Sequence, residues 1–405
     1  MKRKKRMLVC TTVLVLLIAG AIVAGCAQQP STPTIEKPEP NEYGVIVAAQ
    51  WKETYPDIYA SYEMNRQNTS RVSYIEEDPF IVTLYDGMGF SKDYTSAIGH
   101  PYTLEDVAAT ARPHKLAQCI TCKSPEMTAM VNAQGDSVYA MEFDEVYSKL
   151  TEPVSCYNCH ENTGDELVIT HKYLSKALGS DVSKVDPKTA ACGQCHNEYY
   201  FDATSKATTL PWTGLSAMTP DAILAYYNNL NFVDFTNTIS GTGMIKVQHP
   251  EFETVLGAGG KAQSMGGFSC ADCHMGTVEK SAGSSYVSHN WQSPLKNQQL
   301  IENKCSSCHS NLATEVAAIQ KKVTERETAI GLKLEDLTRK IGAGAADGSK
   351  SEEELTALRS LLRDAQFYWD FCYVENSEGA HNSTMANQLL DKAEQRVDQG
   401  LASFA

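Results

Sequence analysis

Ten of the thirteen cysteines fall in five Cys-x-x-Cys pairs, and the residue after each pair decides their chemistry. Four segments read CYNCH at 156–160, CGQCH at 192–196, CADCH at 270–274 and CSSCH at 305–309. Two thiols separated by two residues reach the two vinyl groups of one porphyrin, and the adjacent histidine then lies under the iron as an axial ligand. The spacing therefore predicts covalent c-type haem at Cys156, Cys159 and His160, at Cys192, Cys195 and His196, at Cys270, Cys273 and His274, and at Cys305, Cys308 and His309. Four such motifs in one chain argue against zinc knuckles and redox dithiols.

The fifth pair is CITCK, with Cys119, Cys122 and Lys123. Alone, a CxxC pair is weak evidence, and a disulfide is the other reading. Beside four haem motifs it predicts a fifth haem whose axial ligand is the Lys123 amine. A lysine ligates only as the neutral amine, so the iron must displace its proton. A replaced axial ligand also marks a special site, because four histidine-ligated haems already suffice to move electrons. Six histidines remain: His100, His114, His171, His249, His289 and His381. Most are expected as second axial ligands of low-spin haems, and a haem left open on that side can bind a substrate. The sequence alone does not pair them.

The elements that must hold these groups belong to a chain of 405 residues, 42% apolar, with a formal net charge of -14. That suits a folded body of one large domain or two. The acidic balance argues against a nucleic-acid partner. Lys2, Arg3, Lys4, Lys5 and Arg6 precede an apolar run from Met7 to Val23 that ends in VAGC. Residues 1–26 therefore read as a lipoprotein signal peptide that leaves a lipid-modified Cys26, with an uncleaved anchor as the alternative. Either way the chain is expected to be exported, and a lipidated Cys26 ties it to the outer face of the cytoplasmic membrane. Residues 27–44, rich in Pro, Ser, Thr and Glu, read as a flexible tether. Residues 45–310 read as the pentahaem catalytic domain, loop-rich and poor in strand. From 311 to 405 the pattern is helical. Val316, Ile319, Val323, Ile330, Leu334, Leu337 and Ile341 recur at spacings of three and four, interrupted only at Glu327. GAGAADGSK is expected to break that helix, Ser351 with Glu354 to cap the next, and a last helix to start at Ser383. The stripes suit an intramolecular hairpin and a subunit interface equally. The fold class is mostly α: a multihaem cytochrome c with little sheet and long C-terminal helices.

One CxxCK followed by four CxxCH motifs, with CGQCHNEYYF at 192–201 and KVQHPEFE at 246–253, resembles the pentahaem, ammonia-forming cytochrome c nitrite reductases. The resemblance runs through most of the chain. It implies five covalent haem c groups, with nitrite reduced to ammonium at the open face of the Lys123 haem and electrons relayed through the other four. It implies a pocket of Arg112, Tyr199 and a protonated His249. It implies distal ligands His100 for the CGQCH haem, His289 for the CYNCH haem and His381 for the CADCH haem. One calcium ion is implied at the Glu198 and Gln248 side chains with the backbone oxygens of Tyr199 and Lys246. A membrane-bound multihaem quinol dehydrogenase as electron donor and a homodimer paired through the C-terminal helices are implied as well. One departure matters: Gln263 stands where the family pattern has a histidine for the CSSCH haem, leaving Met265, Lys261 or no protein ligand. A multihaem reductase acting on hydroxylamine, sulfite or tetrathionate, or a pure electron-transfer cytochrome, is the competing reading. The EYYF and KVQHP segments favour nitrite over the other substrates.

Overall fold

The computed structural model describes residues 37–89, 93–111, 115–256, 267–281 and 283–405. The signal segment with Cys26 lies outside them, as do Arg112, His114, Lys261, Gln263 and Met265. The packed body begins at Glu39, within the segment read as tether. Among the described residues no helix is long and apolar enough to cross a membrane.

Up to residue 310 the chain is a succession of helical turns and short helices joined by loops. The strands among the described residues are two or three residues long and pair only as antiparallel ribbons, Tyr200–Phe201 with Thr208–Thr209, Phe235–Thr236 with Gly243–Met244, and Thr277–Glu279 with Ser285–Val287. The haem motifs sit on these turns. Cys156–His160 and Cys270–His274 are single α-turns. A helical turn is the local geometry that puts residues i, i+3 and i+4 on one face, so both thiols and the histidine look the same way. Each start is fixed locally. Asn158 Oδ1 accepts from the Ser155 N–H at 3.0 Å, and Ser269 and Asp272 cap each other, N–H to carboxylate at 2.9 Å and N–H to hydroxyl at 3.2 Å. The glycine in CGQCH has a packing reason: a Cβ on Gly193 would lie 2.1 Å from the Phe252 ring.

The C-terminal region is three helices, Leu312–Asp347, Glu352–Tyr373 and Ser383–Ala402, packed on one another. Ser351 and Glu354 form the expected cap, the Ser351 N–H donating to the carboxylate at 2.8 Å. The expected break falls within GAGAADGSK, at its last glycine. The helix runs on to Asp347 and stops at Gly348, whose φ of +72° is the left-handed conformation glycine takes at no steric cost. Gly342 serves close packing instead: a Cβ there would stand 2.5 Å from the Ile239 carbonyl oxygen. The apolar stripe closes inside the chain, for Val323, Leu334, Leu337 and Ile341 are all 0% exposed and share a core with Leu362, Trp369, Leu390 and Val397. Glu327, the interruption in the stripe, is buried too. Its backbone oxygen accepts from Trp369 Nε1 at 2.8 Å, and burial raises its carboxyl to about 8.

Candidate active site

None of the ten motif cysteines forms a disulfide. Their histidines meet partners from far along the chain. Ring centroids lie 6.1 Å apart for His160 and His289, 6.2 Å for His196 and His100, and 5.8 Å for His274 and His381. An iron between two trans imidazoles, at ~2 Å per metal–nitrogen bond and ~1.1 Å from nitrogen to ring centre, separates the centroids by ~6.2 Å. The ring edges also suit a metal. A ligating histidine engages its other nitrogen with a carbonyl or carboxylate. Here Nδ1 of His160 lies 2.9 Å from the Glu166 carbonyl, that of His274 3.0 Å from Gln292 O, that of His289 3.1 Å from Val287 O, and that of His381 2.5 Å from Glu375 Oε1. Burial pushes His100 down to about 3 and His289 to about 4, which keeps each imidazole in the neutral, ligating form at pH 7. These observations fit covalent haem with paired imidazoles. His249 also stands 6.2 Å from His196, so distance alone does not choose between His100 and His249 as that histidine's partner.

The motifs form a contiguous series. The Cys122 and Cys195 sulfurs lie within 4.8 Å of each other, Cys192 adjoins Cys270, and Cys273 lies near Cys305. CITCK therefore adjoins CGQCH, which adjoins CADCH, which adjoins CSSCH. Cys159 Sγ lies 4.0 Å from the Ala191 carbonyl, beside Cys192, and joins CYNCH to the same series.

Around CITCK, the Thr103 hydroxyl donates to Lys123 O at 2.8 Å and accepts from Val154 N–H at 3.3 Å, which pins the backbone at Lys123. Lys123 lies within electrostatic reach of both His100 and His249. His249 Nδ1 is buried with no hydrogen-bond partner, and burial pushes the imidazole to about 4. Burial thus favours a neutral ring, able to donate N–H, where the resemblance implies a protonated one. Tyr199 packs beside Phe201, with ring centroids 5.4 Å apart, between Glu198 and the strand Tyr200–Phe201.

The four groups expected at a calcium ion come together in part. Gln248 N–H donates to Glu198 Oε2 at 2.7 Å, and Gln248 Nε2 donates to the Lys246 carbonyl at 2.9 Å. Tyr227 hydroxyl donates to Glu198 Oε1 at 2.7 Å. Behind them stands Glu253, which accepts from Glu198 N–H at 3.0 Å and from Trp212 Nε1 at 2.7 Å. Glu198 and Glu253 are each 0% exposed; burial pushes the first well above the usual carboxylate range and the second to about 8. Two buried carboxyls with neighbouring carbonyl and amide oxygens make an all-oxygen donor set, and a hard divalent cation fits it.

A family model described as cytochrome c552 matches residues 48–405. The chain belongs to the cytochrome c552 family. It is a haem c protein with that family's mostly helical fold. Cytochrome c nitrite reductase of Desulfovibrio desulfuricans, whose catalytic subunit is described with two calcium sites, superposes with a TM-score of 0.78 at 24% identity, over 89% of this chain and 86% of that one. An outer cell wall cytochrome matches at a TM-score of 0.42 and 19% identity, over 74% of this chain and 48% of its own. An undecahaem cytochrome from the S-layer of Carboxydothermus ferrireducens gives 0.40 and 18%, over 76% and 41%.

Several groups here escape sequence reading. Glu251 lies 3.9 Å from His196 Nδ1 and, despite burial, is held at about 2 by that histidine, whose own value it raises. Asp370, 0% exposed, accepts from Lys246 Nζ at 3.1 and 3.2 Å, from Tyr85 hydroxyl at 2.5 Å and from Val247 N–H at 2.9 Å. His171 is buried with Nε2 unpartnered, its ring within 4.8 Å of the Cys122 and Cys195 sulfurs. Two acids in PEFE and one in a helix look like surface residues in a linear string. Only the histidine count pointed to His171.

Proposed function

We propose that this chain is an ammonia-forming nitrite reductase that carries five covalent haems and reduces nitrite at the Lys123 site. Nitrite takes up six electrons and eight protons to give one ammonium and two waters. Haem iron ligated by Lys123 would supply the position at which nitrite nitrogen binds and to which electrons come. The chain's own residues do the rest. Arg112 supplies fixed positive charge that draws an anion into an acidic protein and balances charge developing on the departing oxygen. His249, neutral and with an unpartnered ring nitrogen, hydrogen-bonds the bound anion and passes protons. Tyr199 is the second proton donor. His100, His289 and His381 serve as distal ligands of the CGQCH, CYNCH and CADCH haems.

The observation that carries this reading is the juxtaposition of CITCK, the one CxxC pair without a histidine, with both CGQCH and His249 in a chain of the cytochrome c552 family. The contiguous series of motifs supports a relay that ends there. Exposure supports entry at the far end, because residues 306–310 are all exposed whereas Ile120, Thr121, Tyr157, Asn158, Gly193 and Gln194 are buried. A membrane-bound multihaem quinol dehydrogenase is the proposed donor, with the chain held at the membrane by a lipidated Cys26. Calcium at Glu198, Gln248 and the carbonyls of Tyr199 and Lys246 steadies the segment that carries Tyr199. The proposed homodimer pairs through the C-terminal helices. Their apolar stripe is buried within the chain, so the pairing face is the outer side of Leu312–Asp347, where Leu332 stands 53% exposed.

The test is to supply holoprotein with reduced viologen and nitrite and to measure ammonium. Stoichiometric ammonium is expected. A product that stops at nitric oxide or hydroxylamine, or no turnover with five haems loaded, overturns the reading.

A further inference from the structure

Residues 289–292 meet histidines of three haem sites. His289 faces His160 of CYNCH. The Trp291 ring stands 4.6 Å from the His100 ring, edge to face at 67°, and 6.0 Å from the His289 ring at 66°. Gln292 N–H donates to the His274 carbonyl at 3.2 Å, and the Gln292 carbonyl lies 3.0 Å from His274 Nδ1. The indole thus packs against the distal ligands proposed for the CGQCH and CYNCH haems, whereas this segment meets CADCH through backbone groups. Buried Asn65 holds the segment in register: its side chain donates to His289 O at 2.7 Å and accepts from Trp291 N–H at 2.9 Å. The Ser61 hydroxyl accepts from His289 N–H at 2.9 Å. Tyr62, itself buried, meets the indole edge-on at 5.8 Å and 83° and restricts its rotation.

We propose that Trp291 is a positioning residue shared by two haems, which sets the ring planes of both His100 and His289. An axial imidazole turns about its bond to the metal unless a neighbour holds it, and the groups behind a ligating ring set its orientation. With two imidazoles on one iron, their planes fix the splitting of the d orbitals, and so the ferric g-values and part of the potential. Aromatic rings favour the edge-to-face contact found at both histidines, because the positive edge of one ring meets the negative face of the other. One indole therefore ties together the ligand fields of two neighbouring haems, at the step by which electrons on the CYNCH haem join the series. His289 has a second hold, its Nδ1 lying 3.1 Å from Val287 O, and the longer ring contact, so His100 depends on Trp291 more. The inference rests on the reading of His100 and His289 as distal ligands, but not on the Lys123 haem being catalytic.

The experiment is electron paramagnetic resonance of the ferric holoprotein, with each low-spin signal followed through a redox titration, for wild type, Trp291→Ala and Trp291→Phe. Signals are assigned by which one His100→Ala, His289→Ala and His381→Ala each convert to high spin, and pyridine haemochrome checks that all haems are attached. Trp291→Ala is expected to move the g-values and midpoint potentials of the His100 and His289 signals, the first by more, and to leave the His381 signal in place. Trp291→Phe keeps a ring and should move the same two signals by less; it carries the test alone if the alanine variant does not mature. A shift at neither signal, or at one alone, overturns the inference and leaves the proposed function standing. Equal shifts at all three signals overturn it as well, because they report a loosened fold and not a positioned pair of ligands. If His100→Ala or His289→Ala converts no low-spin signal, the ligand reading falls and the inference falls with it.

Discussion

Removing His100 is predicted to open one further haem, and removing His249 is predicted to open none. Both rings stand 6.2 Å from His196, so the two variants separate a ligand from a pocket residue where distance cannot. The magnitude follows from the geometry. The His196–His100 separation leaves ~2 Å from each ring nitrogen to a metal between them, which is a bonded distance, and alanine at position 100 retracts that donor by several ångströms, far beyond any bond. His100→Ala should therefore raise the number of carbon monoxide molecules bound per reduced chain by one over wild type, and convert one low-spin ferric signal to high-spin. His289→Ala and His381→Ala should each do the same, at the CYNCH and CADCH haems. His249→Ala should leave the count at the wild-type value. Infrared and electron paramagnetic resonance on the same samples, normalised to haem content, give the count. If His249→Ala adds an open haem and His100→Ala does not, His249 is the axial ligand and the proposed pocket loses its proton carrier.

The pocket itself predicts that His249→Ala and Tyr199→Phe lower nitrite turnover by ~10²-fold or more while all five haems stay attached, since attachment rests on the cysteines; wild-type turnover in both, measured with reduced viologen, would clear these residues of a chemical role. Calcium removal by a chelator should lower the melting temperature, by the equivalent of ~2.7 kcal/mol if the ion is present at a hundred times its dissociation constant, and Glu198→Gln should erase that sensitivity. Glu327 has a raised folded-state value of about 8 against 4.5 for an ordinary glutamate, so the unfolded chain releases this proton first and stability falls as pH climbs between those values. At ~1.36 kcal/mol per pH unit, linkage bounds the loss at ~5 kcal/mol, so Glu327→Gln should stabilise the protein at pH 8 more than at pH 5, and equal melting shifts at both would refute it. Light scattering should give a dimer mass at micromolar concentration, and Leu332→Glu should weaken it.

Legibility followed sequence separation. The attachment motifs could be read because their chemistry is complete within five residues. The C-terminal helices could be read because a stripe of period 3.6 is also local, and the Ser351 cap with it. What the stripe packs against could not, because hairpin and dimer present the same pattern; the structure spends it inside the chain. The break within GAGAADGSK was legible, but not which glycine makes it, because the same residue type serves two ends, close approach at Gly342 and a left-handed stop at Gly348. The axial pairing joins residues 107 to 129 positions apart for His274 with His381 and His160 with His289, and only family resemblance supplied it. The buried acids Glu251, Glu253 and Asp370 had no signal at all. Each is tolerable in the interior only through partners brought from elsewhere, and partners are what a single sequence hides.

Those acids show why the C-terminal helices belong to the site. Asp370, near the end of Glu352–Tyr373, holds Lys246 and Val247 two residues before the Gln248–His249 pair. The turn that follows supplies Glu375 to His381 Nδ1, Asn376 to the Glu251 carboxylate, and Asn382 to the Thr254 carbonyl at 3.0 Å. Within a dozen residues, then, the chain orients one expected haem ligand and fixes both flanks of the segment that carries His249. A carboxylate buried with a lysine is weak evidence for stability, because desolvation offsets the attraction; its contribution is to register, since breaking it strands a charge in the core. Here the register is that of segment 246–254, on which the oxygen donors of Lys246 and Gln248 and the His249 ring all depend. The helical region that sequence alone would set apart as a separate module is thus a clamp on the segment that carries the proposed pocket residue His249.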